Sequence, residues 1–166
     1  MIFVTVGTHN QPFDRLLKKI DELIENGVIK DNVIAQIGAS KYSPKHYKYI
    51  KFLDDEKILE LNKKAKMVIT HAGAGSIIVG LKFNKPLILI PRLKEFNEAI
   101  DNHQVEIAAE FEKMGKVLVA YDVNDLPTLL KKIEKFKPRI KKERPKIYKI
   151  IKNFLEGLEN DKLTSK

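Results

Sequence analysis

The chain has 166 residues, enough for one domain and too few for two of ordinary size, and its 43% hydrophobic and 32% charged residues suit a single globular core. No run approaches the ~18 apolar residues of a membrane-spanning helix, no basic stretch precedes the apolar start MIFVTVGTHN, and the lack of Cys excludes disulfides, thiolate metal sites and a cysteine nucleophile, so a reducing cytosol is expected. The formal net charge is +9, but residues 137–152, KPRIKKERPKIYKIIK, hold eight Lys or Arg against one Glu, which leaves the body of the chain close to neutral.

In chain order, strands are expected at 2–6 (IFVTV), 32–37 (NVIAQI), more weakly 47–52 (YKYIKF), then 67–71 (MVITH), 86–91 (PLILIP) and 116–120 (KVLVA). Four of these are near-continuous β-branched or Leu runs, the pattern of strands buried on both faces of a parallel sheet. Helical spacing lies between them: Phe13, Leu16, Leu17, Ile20 and Leu23; then Ile58 and Leu61; then Ile77, Ile78 and Leu81; then Ile107, Ala108 and Phe111; and last Leu126, Leu129, Leu130 and Ile133. Gly27 and Gly115 stand where the first and fourth helices should stop. The alternation predicts an α/β fold, a Rossmann-like doubly wound parallel sheet over residues 1–136. Residues 137–166 read as a basic amphipathic C-terminal arm, with Ile147, Ile151, Phe154 and Leu158 on one helical face.

Open α/β sheets bind ligands beyond the carboxyl ends of their strands. Three polar loops fall there: Gly7-Thr8-His9 after the first strand, His71-Ala72-Gly73-Ala74-Gly75-Ser76 after the fourth, and Arg92 with Glu98, His103 and Gln104 after the fifth. Gly73 to Ser76 join a strand to a helix, so their amides can face an anion while small side chains allow close approach. The same residues also read more simply: the glycines permit a turn and Ser76 caps a helix. His71 can donate to a phosphate or sugar oxygen, and His103 with Gln104 can read sugar hydroxyls; a single such His is more often a packed or exposed residue, but three of the four histidines fall just after strands, which favours function. The histidines lack metal-ligand spacing such as HExxH, and no G-x-S-x-G elbow is present. Neither a metal nor a cofactor is expected. For the basic arm, the alternatives are a solvated helix face, attraction to anionic lipid or a membrane-bound partner, and nucleic-acid binding. The last is disfavoured by the shortage of aromatic residues.

VTVGTHNQPFDRLL, THAGAGSI and PRLKEFNEAIDNHQVEIA, in this order, resemble the glycosyltransferase family 28 C-terminal domain over about residues 1–135. The resemblance is strongest to short split-enzyme members: the catalytic subunit of the UDP-GlcNAc transferase of dolichol-linked oligosaccharide synthesis, and bacterial exopolysaccharide subunits that work with a small membrane partner. It implies the donor-binding half of a GT-B glycosyltransferase. Gly7 and Thr8 would form a first phosphate-facing loop, His71 with Gly73, Ala74, Gly75 and Ser76 would hold the diphosphate, and His103 and Gln104 would face the donor sugar. Arg92 and Glu98 match further family positions. The implied reaction is metal-independent, inverting hexosyl transfer from a UDP-sugar to a lipid-linked sugar acceptor, beside a membrane-anchored subunit at the cytoplasmic face. His9 or a partner residue would be the general base. Where many relatives carry a ribose-binding Glu this chain has Val79, so a non-catalytic nucleotide-sugar-binding or partner-stabilising subunit is the alternative.

Overall fold

The computed structural model describes residues 1–138; the expected arm lies almost wholly outside the described residues. Six strands form one sheet in the order β3-β2-β1-β4-β5-β6, with every neighbouring pair parallel. They are β1 (Ile2–Thr5), β2 (Val33–Gln36), β3 (Lys48–Ile50), β4 (Met67–His71), β5 (Leu87–Ile90) and β6 (Leu118–Val119). This is the doubly wound arrangement expected from the alternation. Strand order reverses between β1 and β4, where the chain goes outward in one direction and returns to continue in the other.

The strands' period of two sorts their side chains into two cores. Val4, Ile69 and Ile88 face α1 (Asp14–Glu25) and α5 (Leu126–Ile133), meeting Leu16, Leu17, Ile20 and Leu129. Phe3, Val68, Leu87 and Leu89 face the other way, against Leu61 of α2 (Asp55–Lys64), Ile77 of α3 (Ala74–Lys82) and Ala108 of α4 (His103–Lys113). Full burial of each large side chain contributes roughly 1.5–3 kcal/mol before the entropy of ordering is counted. Because both faces are covered, the central strands hold no polar residue until their carboxyl ends.

The two edge strands are shorter than their sequence patterns suggest. The stretch at 47–52 pairs only over Lys48–Ile50, all three exposed, and that at 116–120 only over Leu118–Val119. An edge strand has a hydrogen-bonding neighbour on one side only, so the apolar run outlasts the ladder. Val117 and Ala120 are nevertheless buried. Gly27 and Gly115 follow α1 and α4 with φ of 68° and 67°, the left-handed helix stop their positions predict. Among the described residues no helix is long and apolar enough to cross a membrane.

Candidate functional site

The register brings Thr5 level with Gln36 on one side and Thr70 on the other, so the carboxyl ends of β1, β2 and β4 open together. A cleft of about 360 Å³ lies over that edge. Gly7 and Thr8 come to it from the β1–α1 loop, and His71, Gly73, Gly75 and Ser76 from the β4–α3 turn. Ala74, the exposed first residue of α3, stands beside these. Thus two of the three expected loops converge on one cavity.

The start of α3 is uncapped. Gly73 holds the N-cap position in extended geometry with no side-chain hydrogen bond, so the amides of the first turn are not taken up by a cap. Ser76 is the third helical residue and therefore does not perform the capping role that a simpler reading gives it. Open amides and the positive end of the helix dipole together favour an anion at this point.

His71 explains the glycines beside it. Gly7 has φ 76°, and a Cβ added there would stand 2.5 Å from the imidazole; a Cβ on Gly73 would strike the same ring. The two glycines leave a slot that the ring fills. Burial, followed by the positive charge of Arg92, pushes the His71 pKa down to about 4, against a hydrogen bond to the Thr5 backbone that opposes the shift and with a small further push from His9. His71 is therefore a neutral polar group at pH 7. It can hydrogen-bond a phosphate oxygen without carrying a charge of its own.

The third loop supports the cleft without lining it. Arg92 is only 1% exposed. Its Nη1 donates to the carbonyls of Gln11 (2.9 Å), Pro12 (3.3 Å) and Glu98 (2.9 Å), and its Nη2 to that of Val6 (2.8 Å). Burial lowers its pKa to about 10, with the Glu98 charge opposing the shift, so it remains a cation at neutral pH. Glu98 is held in a fork by Arg15, at 3.0 Å from Nε and 2.8 Å from Nη2, and also accepts from the Leu93 amide. Gln104 Oε1 accepts from the Arg92 amide at 3.1 Å. His103 is exposed, with Nδ1 3.3 Å from Glu106. Four expected site residues thus stand off the cleft because their polar atoms serve the loop itself or face solvent.

His9 is exposed, and its Nδ1 accepts from the Gln11 amide at 3.2 Å. That bond uses Nδ1 as an acceptor.

Sequence reasoning missed the inner wall. Gln36, 1% exposed, donates to the Gly7 carbonyl at 3.3 Å and to Thr5 Oγ1 at 3.4 Å, while its Oε1 accepts from the Leu53 amide at 3.1 Å. Thr5 Oγ1 in turn accepts from the Gly7 amide. Asn62, Ile58 and the exposed Asp55 of α2 complete the wall with Val79 of α3. One signal was visible: Gln36 is the single strongly polar residue in the apolar run VIAQI that follows Asn32. Among the described residues no group of three or more His, Asp or Glu is placed to hold a metal ion.

A family model for the glycosyltransferase family 28 C-terminal domain matches residues 1–159. The chain belongs to this family. It is 35% identical over 128 residues to the UDP-N-acetylglucosamine transferase subunit ALG13 of Homo sapiens and 31% identical over 125 residues to that of Mus musculus, covering 69% and 68% of this chain and 10% of each relative. The chain therefore spans about a tenth of the length of these two relatives. The ALG13 of Yarrowia lipolytica is 28% identical over 139 residues, with 76% of this chain and 67% of that protein covered. Among solved structures, the NMR structure of ALG13 aligns with a TM-score of 0.57 at 25% identity over 90% of this chain and 93% of that one. Acinetobacter baumannii MurG aligns with a TM-score of 0.57 at 16% identity over 80% of this chain and 40% of its own, a likeness of fold. The Rossmann-like doubly wound parallel sheet expected from the sequence is thus a fold shared with known glycosyltransferase structures.

Proposed function

We propose that this chain is the donor-binding, catalytic subunit of a UDP-sugar-dependent hexosyltransferase. It takes UDP-GlcNAc or a related donor and works with a separate membrane-anchored subunit that presents a lipid-linked sugar acceptor. The observation that carries this reading is the uncapped start of α3 beside the neutral imidazole of His71, at the cleft where strand order reverses. The names of the relatives, each a UDP-N-acetylglucosamine transferase subunit, support the donor and the need for a partner.

In the proposed reaction the acceptor hydroxyl oxygen bonds to the anomeric carbon from the face opposite the nucleotide, inverting it. The bond from that carbon to the diphosphate oxygen breaks, and its electron pair stays on the diphosphate. The α3 amides and dipole, a His71 hydrogen bond and the buried Arg92 charge stabilise that anion. The hydroxyl proton goes to a general base, either His9 or a group of the acceptor subunit. The chain carries no Asp-x-Asp pair and the anion is met by fixed dipoles, so metal-independent transfer is part of the proposal. The basic segment 137–152 is the element proposed to face the membrane or the partner.

Amide NMR of the isolated chain tests the binding half. UDP without added metal should shift residues 7–9 and 71–76, and shifts confined to residues 137–152 would overturn the reading. Transfer to a lipid-linked acceptor should require the second subunit; full turnover by the single chain would refute the partner dependence.

A further inference from the structure

Asn62 is polar, 2% exposed, and set in the inner wall of the cleft. Its Nδ2 donates at 2.9 Å to the Ile58 carbonyl one turn earlier in α2. A carbonyl can only accept, so this bond fixes which end of the amide is nitrogen and leaves Oδ1 as an acceptor. Oδ1 has no partner. Among the described residues three buried side-chain atoms are left in that state, Gln11 Oε1, Arg92 Nε and Asn62 Oδ1, and only Asn62 belongs to a cleft-wall residue. Neighbouring wall residues offer it nothing: Ile58 and Val79 are apolar, a carboxylate such as that of Asp55 can only accept, and both ends of the Gln36 amide are engaged. A desolvated acceptor without a donor is unfavourable, and a ligand that brings a donor removes the penalty.

We propose that Asn62 Oδ1 accepts a hydrogen bond from a ribose hydroxyl of the bound nucleoside diphosphate, making Asn62 a specificity residue for ribonucleotides over their deoxy analogues. The inference rests on the nucleotide reading above. With phosphates at the first turn of α3, the next unit along the ligand is the ribose. The α3 residue available to it is Val79, five positions beyond Ala74 and so about 7 Å along the axis. Its methyl groups cannot accept a hydrogen bond. α2 packs against α3, and Asn62 brings an acceptor to the same wall. The flanking Ile58 and Val79 are apolar, and a hydrogen bond beside apolar groups is more selective than one in water.

Calorimetry of the full chain and of Asn62→Leu with UDP, 2′-deoxy-UDP and 3′-deoxy-UDP tests this. The wild type should prefer UDP over at least one deoxy analogue by on the order of 5- to 30-fold, and Asn62→Leu should lose nearly all of that preference while binding the analogue as before. A preference that survives in Asn62→Leu, an equal loss on all three ligands, or no preference in the wild type overturns the proposal; an equal loss would point instead to a donor on the base. Absence of any UDP binding by the wild type is a different outcome and overturns the nucleotide reading itself. If Asn62→Leu fails to fold, the side-chain amide resonance of Asn62 in the wild type decides. It should move with UDP and distinctly less with the analogue, and equal or absent shifts refute the role.

Discussion

Arg92 Nη2 donates to the Val6 carbonyl at 2.8 Å, so one buried guanidinium ties the end of β5 to the end of β1 across the intervening β4. Its second nitrogen fastens the Gln11 and Pro12 carbonyls of the β1–α1 loop and the Glu98 carbonyl of its own loop. This buried cation is thus the clasp that sets the loop carrying Gly7 and Thr8. If that loop holds the nucleotide, as proposed above, loosening the clasp lowers stability and ligand affinity together.

Arg92→Lys should therefore destabilise the fold by about 2–4 kcal/mol, because an ammonium is a compact point charge that cannot span acceptors placed for a planar fork. UDP affinity should fall as well, since the first loop loses its anchor. Urea unfolding and calorimetry measure the two effects. A loss below about 1 kcal/mol would show that the clasp is dispensable, because a net contribution of that size is what one ordinary hydrogen bond gives.

Gly7→Ala meets two obstacles, a φ of 76° and the His71 ring. Gly27→Ala meets only the first: its φ is 68° and a Cβ there has open space. The strain alone costs about 1 kcal/mol, so Gly27→Ala should lose that much and leave UDP binding intact. Gly7→Ala should lose more and impair binding. Adding His71→Ala to Gly7→Ala should restore part of the stability, a coupling that a double-mutant cycle resolves. Strict additivity of the two changes would mean that the slot does not depend on glycine.

Much of this arrangement was legible in the residues, for reasons that differ by element. The four buried strands announce themselves because both faces are covered and their apolar runs are unbroken, as in PLILIP. The edge strands were overextended because an apolar run records burial and not pairing, which is why 116–120 yields a ladder of two residues. The glycine turn and His71 were visible as small and polar residues after a strand, yet their relationship was not: nothing in GTHN and THAGAGS says that Gly7 and Gly73 make room for one imidazole. Arg92 and Glu98 stood out as polar residues at a strand end. Whether such a charge faces a ligand or crosses under a loop depends on the distance from β5 to β1, which only the fold supplies. Asn62 was hidden because an isolated Asn in an amphipathic helix looks like a surface residue.

His71 makes stability depend on acidity. Its folded pKa lies near 4 and its unfolded value near 6.5. Between those limits the unfolded chain binds more protons, so the contribution is complete above about pH 6.5 and is lost as pH falls towards 4. The loss is on the order of 2 to 3 kcal/mol, since each unit of pKa difference corresponds to about 1.4 kcal/mol. In His71→Gln the stability curve should be flatter across that window. Wild type and variant falling in parallel would assign the acid sensitivity to other groups.

Gln104 offers a test of how the third loop takes part. Its Oε1 is committed to the Arg92 amide at 3.1 Å, which leaves Nε2 as the end of the amide able to donate to the sugar of the proposed donor. If Nε2 contacts the sugar, Gln104→Ala removes a hydrogen bond made by the UDP-sugar and not by UDP. The expected change is a roughly 5- to 150-fold loss of UDP-sugar affinity, the equivalent of 1–3 kcal/mol, with UDP itself weakened by less than about 3-fold. If Gln104 only supports the Arg92 turn, the variant loosens the loop for both ligands and the two losses match. Calorimetry of UDP and UDP-GlcNAc on both proteins separates these outcomes, with urea unfolding of Gln104→Ala as the control for loss of the Arg92 amide's partner. Equal losses accompanied by a drop in stability would leave Gln104 as a positioning residue for the clasp and remove it from the sugar site.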